Sequence, residues 1–173
     1  MRDHPTPLEQ LTTVLMDVDG VLTDGFVLAL EGQEPIRRMH IKDGFALQHA
    51  VKVGLRVGVI SGGSSLGVRQ RLERLGVTEI HLGASQKLPV YEQVKAAYGL
   101  SDREICYIGD DLPDATVLRR VGYAVAPSDA ATDVLACVHR VTRLAGGQGC
   151  VREVLEEILK AKGLWYRPEL DQW

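Results

Sequence analysis

Cysteine is scarce in this chain. There are three, Cys106, Cys137 and Cys150, widely spaced, and none forms a C-x-x-C pair. Such a set argues against a disulfide framework or a zinc site and fits a reducing cytoplasm. Positive charge is not in surplus either: 20 Lys and Arg face 23 Asp and Glu, for a net charge of −3. No basic surface marks a nucleic-acid partner, and an anionic substrate would need positive charge concentrated locally. No apolar run approaches the roughly 18 residues of a membrane helix. The opening MRDHPTPLEQ holds no apolar signal-peptide core. Repeats and low-complexity segments are missing too. The expectation is a soluble, cytoplasmic protein with no membrane or nucleic-acid partner. Its 173 residues suit one domain, expected to span 1–173.

What is present is an alternation of short apolar runs with amphipathic stretches. Leu11–Met16, Leu55–Ile60, Glu79–Leu82, Glu104–Ile108, Tyr123–Ala126 and Arg140–Thr142 read as strands. Helical patterns cover Gly44–Val53, Leu66–Leu75, Leu88–Tyr98, Pro113–Arg120 and Cys150–Lys162. The last carries Val151, Val154, Leu155, Ile158 and Leu159 on one face. Glycines 54, 76, 99, 122 and 163 each follow a helical run, where a left-handed C-cap is expected. This alternation predicts an α/β fold, a Rossmann-like parallel sheet with helices on both faces. One insert interrupts it: Phe26–Leu30 and Ile36–Ile41, joined by Glu31-Gly32-Gln33-Glu34-Pro35, read as a β-hairpin. The spans between the motifs leave no room for a lid, or cap, domain.

Ligands of such sheets bind beyond the carboxyl ends of the strands. That points to Asp17, Asp19, Ser61, Asp110 and Asp111. In Asp17-Val18-Asp19-Gly20-Val21 two carboxylates follow the first strand, and Gly20 permits a sharp turn and close backbone approach. They read either as solvated loop acids or as a pair facing one site, one attacking and one handling a proton. Gly109-Asp110-Asp111-Leu112-Pro113-Asp114 brings more acids to the same sheet edge. Packed acids repel unless a cation neutralises them, and oxygen-only donors select a hard ion such as Mg²⁺. Asp111 and Asp114 also read as helix N-terminal caps. Ser61-Gly62-Gly63-Ser64-Ser65 offers a hydroxyl and backbone N–H groups to phosphate, or is a turn in which Ser64 or Ser65 caps a helix. Lys87 opens a helix against the macrodipole, which hints at other work, although a lone lysine is usually surface. The five histidines are scattered and are not proposed as metal ligands.

Taken in order, D-x-D-G-V, a strand-end Ser, a Lys and G-D-D-x-x-D resemble the haloacid dehalogenase superfamily over nearly the whole chain. The resemblance implies that Asp17 is a nucleophile forming an aspartyl-phosphate and Asp19 a general acid, then base. It also implies that Ser61 and Lys87 hold the phosphoryl group, and that Asp17, the Asp19 backbone carbonyl and Asp110 bind Mg²⁺. Asp19-Gly20-Val21-Leu22-Thr23-Asp24-Gly25, the hairpin, His40-Ile41-Lys42-Asp43-Gly44 and Gly146–Glu153 narrow it to the capless branch. That branch contains the 3-deoxy-D-manno-octulosonate 8-phosphate phosphatases and relatives acting on nine-carbon keto-sugar phosphates.

The branch implies a sugar-acid phosphate as substrate and substrate contacts from Asp19, His40, Ile41, Lys42, Asp43, Gly44, Arg71 and Lys87. It also implies a homotetramer whose hairpins form a central barrel, with a neighbour's C-terminal segment, near 164–173, closing each site. Two positions depart: Gln48 and Gly63 stand where the octulosonate enzymes carry arginine, leaving Lys42, Arg69 or Arg71 to compensate. A nonulosonate 9-phosphate phosphatase, a broad sugar phosphatase and a non-catalytic scaffold are the alternatives. Intact Asp17, Asp19, Lys87 and Asp110 argue against the scaffold, and the D-x-D-G pair argues against a phosphate-dependent receiver.

Overall fold

The computed structural model describes residues 5–165. Six parallel strands form one sheet: β1 (Thr13–Met16), β2 (Arg56–Ile60), β3 (Glu79–His81), β4 (Ile105–Ile108), β5 (Tyr123–Ala126) and β6 (Arg140–Val141), in the order β3-β2-β1-β4-β5-β6. Central β1 is flanked in register by both neighbours, Leu15 lying opposite Gly58 on one side and Tyr107 on the other. All four of its residues are buried, as a strand covered on both faces requires.

The period of two sorts the side chains of β1 between two cores. Val14 and Met16 pack with α1 (Ile41–Lys52), α2 (Leu66–Arg74) and α6 (Cys150–Ala161). Leu15 faces the other way, into a cluster with α3 (Lys87–Tyr98), α4 (Ala115–Leu118) and α5 (Thr132–Leu135). The α6 stripe Val151, Val154, Leu155, Ile158 and Leu159 is fully buried, as its spacing predicts. Between β1 and β2 the described residues hold only the hairpin region and α1. No helix among the described residues is long and apolar enough to cross a membrane.

Several element ends differ from the expectation. α1 begins at Ile41, so the returning arm of the hairpin stops short of it; Gly44 lies inside the first turn rather than opening the helix. α4 is only four residues, preceded by a 3-10 turn at Leu112–Asp114. α5 was not expected at all, being too short for a helical period to register. The hairpin is two isolated antiparallel bridges, Thr23 with Met39 and Leu28 with Ile36, rather than a continuous ladder. Leu28 and Ile36 exchange both backbone hydrogen bonds, at 3.0 and 3.1 Å. Phe26 and Leu28 are 79% and 59% exposed in the single chain.

Gly122 is a correction of another kind. Glycines 54, 76, 99 and 163 have positive φ, as left-handed helix ends require, whereas Gly122 does not. Its role is close packing: a Cβ there would lie 2.4 Å from Thr6 Oγ1 and 2.6 Å from Arg103 Cα. Its N–H donates to Asp102 O and its carbonyl accepts from Thr6 N. Gly122→Ala therefore forces backbone apart and is expected to destabilise by about 1–3 kcal/mol. Urea unfolding followed by circular dichroism measures this; an unchanged midpoint would refute the packing argument.

Candidate active site

The strand order decides which loops meet. The chain runs from β1 outward to β2 and β3, then crosses to β4 and continues to β5 and β6 on the other side. The crevice at such a reversal is where α/β sheets bind ligands. β2, β1 and β4 are adjacent, so the residues just past their carboxyl ends, Ser61, Asp17 and Gly109-Asp110, arrive side by side. A cleft of about 780 Å³ opens there, and Asp17, Asp19, Ser61, Gly63 and Lys87 are among its walls.

The centre of the site is a buried charge cluster. Lys87 Nζ lies 2.6 Å from Asp17 Oδ2 and 2.7 Å from Asp114 Oδ1. Lys87 is 5% exposed and Asp114 fully buried. Asp114 Oδ1 also accepts from the Tyr107 hydroxyl at 2.6 Å, and Oδ2 from the backbone N–H groups of Asp110 and Asp111 at 3.2 and 3.4 Å. Asp17 Oδ1 accepts from Val18 N at 2.6 Å. Burial, helped by the Asp114 charge, pushes the Asp17 carboxyl up to about 6 despite Lys87. Burial and the charges of Asp17 and Asp114 push Asp110 up to about 7. Burial pulls the Lys87 ammonium down, but Asp114 and Asp17 together outweigh it and hold it above its ordinary value.

Oxygens of Asp17, Asp110 and Asp114 lie within 4.8 Å of one another. The Asp114 carboxylate is already taken up by Lys87, Tyr107 and two backbone donors. Asp110 is the opposite case: its side chain accepts no hydrogen bond from the described residues. Its carboxylate faces Asp17, and the nearby charges of Asp17, Asp114 and Asp111 outweigh that of Lys87, whose ammonium is bonded to Asp17 and Asp114. A hard cation bound through Asp17 and Asp110 would relieve that repulsion, and all-oxygen donors suit Mg²⁺.

Glycine makes this approach possible. A Cβ on Gly20 would lie 2.0 Å from Asp110 Oδ2, and its φ is +83°, so the D-x-D-G turn and the Asp110 loop close on each other only without a side chain there. The Gly146–Gly149 run supports the same turn from behind. A Cβ on Gly146 would lie 2.0 Å from Gly20 O, and Gly147 N donates to Val21 O at 3.0 Å. The motif Gly146–Glu153 had no mechanical role in the sequence; its role here is backbone contact.

The remaining predicted site residues divide into two sets. Asp17, Asp19, Ser61 and Lys87 share the cleft, with Asp110 beside Asp17. Ser61 is 2% exposed, and its hydroxyl accepts from Gly63 N at 3.3 Å. Asp19 is gripped by Arg37, with Nε donating to Oδ1 at 2.7 Å and Nη2 to Oδ2 at 3.0 Å. The His40–Gly44 segment lies elsewhere. His40 and Lys42 line a separate cavity of about 540 Å³ with Arg143 and Arg152. Ile41 is exposed. Asp43 is buried, its ordinary value raised by that burial, and accepts from Arg152 N at 2.6 Å, tying α1 to α6. Arg71 packs on Gly44 and lines a third groove, of about 390 Å³, together with Arg37.

Three participants were missed or underread in the sequence. Asp114 does complete a capping box with Asp111, yet its main partner is Lys87. The signal for it was the last acid of G-D-D-x-x-D. Tyr107 gave none beyond being a strand residue, and Arg37 none at all.

No family model matches the chain. The 3-deoxy-D-manno-octulosonate 8-phosphate phosphatase of Escherichia coli is 34% identical over 155 residues, covering 90% of this chain and 82% of that one. The crystal structure of the Yersinia pestis enzyme of that name superposes with a TM-score of 0.88 at 33% identity, over 91% of this chain and 85% of that one. The Moraxella catarrhalis enzyme, solved with magnesium, phosphate and the eight-carbon sugar acid, gives 0.88 at 32% identity, over 91% of each chain. With the strand-end carboxylates and Lys87 in place, the chain belongs to the 3-deoxy-D-manno-octulosonate 8-phosphate phosphatase family of the haloacid dehalogenase superfamily.

Proposed function

We propose that this chain hydrolyses 3-deoxy-D-manno-octulosonate 8-phosphate to the free sugar acid and phosphate, a step of lipopolysaccharide precursor synthesis. The observation that carries the reading is Asp17 at the end of β1, held at 2.6 Å by Lys87 and facing Asp110, whose carboxylate has no hydrogen-bond donor among the described residues. An Asp17 oxygen attacks phosphorus, the bond from phosphorus to the sugar oxygen breaks, and Asp19 gives that oxygen a proton. Asp19 then takes a proton from water, which attacks the aspartyl-phosphate and frees phosphate and Asp17. Ser61 and Lys87 hold the phosphoryl oxygens. Mg²⁺, bound by Asp17, the Asp19 carbonyl and Asp110, supplies positive charge to those oxygens.

The resemblance assigns His40, Ile41, Lys42, Asp43, Gly44 and Arg71 to the sugar acid. Within one chain His40, Lys42 and Arg71 line spaces outside the catalytic cleft and Asp43 is held by Arg152 N, so these contacts would require the assembly proposed here. The enzyme is a single domain over 1–173, cytoplasmic and a homotetramer. The exposed apolar side chains of Phe26, Leu28 and Ile36 support the assembly, since a lone two-stranded hairpin is marginal in water. The tail near 164–173, proposed to close a neighbour's site, lies mostly outside the described residues.

Asp17→Asn is expected to lower kcat by on the order of a thousandfold or more with the fold intact by circular dichroism; substantial remaining turnover would remove Asp17 as nucleophile. Asp19→Asn is expected to cost about a hundredfold or more on the sugar ester and far less on an aryl phosphate, whose leaving group needs no proton. Equal losses would contradict the acid role. A nine-carbon sugar-acid phosphate turned over at least about tenfold better than the eight-carbon one (about 1.4 kcal/mol) would move the substrate to the longer sugar, as Gln48 and Gly63 would allow.

The metal has its own test. Asp17 and Asp110 move from an ordinary 3.8 to about 6 and about 7 on folding. Both bind protons more tightly folded than unfolded. Their stabilising contribution is thus complete below about pH 4 and is lost as pH rises through about 6 and 7. Mg²⁺ needs the deprotonated forms. The rise in Tm on adding Mg²⁺ to EDTA-treated protein should therefore be larger at about pH 8 than at about pH 5. Equal rises at both would place the ion on other ligands.

A further inference from the structure

The Arg37–Asp19 pair uses both carboxylate oxygens of the residue assigned as proton donor. Nε and Nη2 form a two-point fork at 2.7 and 3.0 Å, the strong geometry for guanidinium and carboxylate. The Thr23 hydroxyl adds a third contact, to Oδ1 at 3.4 Å. A proton donor needs an oxygen turned toward the leaving group, so the fork has to open during turnover. The pair is half-buried, with side chains 13% and 36% exposed. It therefore lies within reach of an incoming ligand.

Its position says what would open it. Asp19 and Gly63 line the catalytic cleft, whereas Arg37 lines the neighbouring groove with Arg71. The pair stands at the junction of the two. Gly63 makes the position available: a Cβ there would lie 3.2 Å from Arg37 Nη2 and 3.3 Å from Asp19 Oδ2. Any side chain at 63 would crowd the guanidinium. Gly63 is also one of the two positions where the family resemblance leads one to expect an arginine. The guanidinium of Arg37, arriving from the hairpin, lies against that vacated space.

We propose that Arg37 is a specificity-determining positioning residue: it holds the Asp19 carboxylate in the free enzyme and transfers its fork to the carboxylate of the substrate, releasing Asp19 to take up a proton from solvent and deliver it to the leaving oxygen. Exchanging one carboxylate for another on a guanidinium preserves two charge-assisted hydrogen bonds. A neutral sugar phosphate offers no such replacement and leaves Asp19 engaged. Discrimination thus comes from the cost of breaking the resting pair as well as from a new contact. The proposal rests on the sugar-acid phosphatase reading above.

Steady-state kinetics on 3-deoxy-D-manno-octulosonate 8-phosphate and on glucose 6-phosphate test both levels. The wild-type enzyme should favour the sugar acid; a preference for glucose 6-phosphate would overturn the substrate reading itself. In Arg37→Ala the ratio of the two kcat/KM values should fall about tenfold or more, through a higher KM for the sugar acid and a higher kcat for the neutral ester. Arg37→Lys, which keeps the charge without the fork, should recover only part of the ratio. Gly63→Ala, which crowds the guanidinium and leaves Arg37 in place, should lower the ratio in the same sense. A ratio unmoved in both Arg37→Ala and Gly63→Ala, or equal losses on the two substrates, would overturn the inference while the wild-type preference stands.

Discussion

A single ammonium group sits between two buried carboxylates, and the active end of the sheet is arranged around it. Lys87 Nζ touches Asp17 and Asp114 at 2.6 and 2.7 Å, almost out of contact with water. Removing one member of such a set would leave a buried charge uncompensated, a loss of about 3–5 kcal/mol. The arrangement requires β1 and β4 to be neighbours and α3 to start beside them, with its first residue supplying the cation against the helix dipole. The unfavourable position of a lysine at a helix start is offset by the two carboxylates it meets.

The same cluster remains electrostatically incomplete. Three carboxylates meet one lysine, and Asp114 uses its oxygens on Lys87, Tyr107 and backbone donors. The excess charge falls on Asp17 and Asp110, and their raised proton affinity expresses it. The glycines sustain this state. Gly20 lets Asp110 approach, and Gly146 and Gly147 press the D-x-D-G turn forward by backbone contact. Repulsion is thus built into the fold at the point where a divalent cation would neutralise it.

Much of this was legible in the sequence because period and punctuation carry it. All six strands were anticipated; β1, β4 and β5 are buried runs of the kind a two-faced sheet requires, whereas β3 and β6 are short and carry Glu79, His81 and Arg140. The strand-end acids followed from the rule on where α/β sheets bind ligands. Short elements were not legible: α5 spans four residues and cannot show a helical period. Gly122 was misread because a glycine after a helix has two uses, and only three-dimensional packing separates a left-handed cap from a close approach. Arg37 was invisible because its partner lies 18 residues away across a turn, and an arginine on a hairpin ordinarily reads as surface.

The division of the predicted substrate residues carries the last step. The chemistry is assembled within one chain, as Asp17, Asp19, Ser61, Lys87 and Asp110 converge on one crevice. The residues proposed for recognition lie apart: His40 and Lys42 line a different cavity, and Arg71 lines a groove together with Arg37. Without a lid among the described residues, the cleft has little of its own with which to grasp an eight-carbon acid. The proposed assembly answers both points at once. Covering the apolar hairpin with other copies would bring foreign surface to each open cleft, and side chains that miss their own site become available to a neighbour's. Arg37 would then have a double position, on the hairpin proposed to assemble and on Asp19, the proposed proton donor. Substrate recognition and proton delivery meet in one guanidinium.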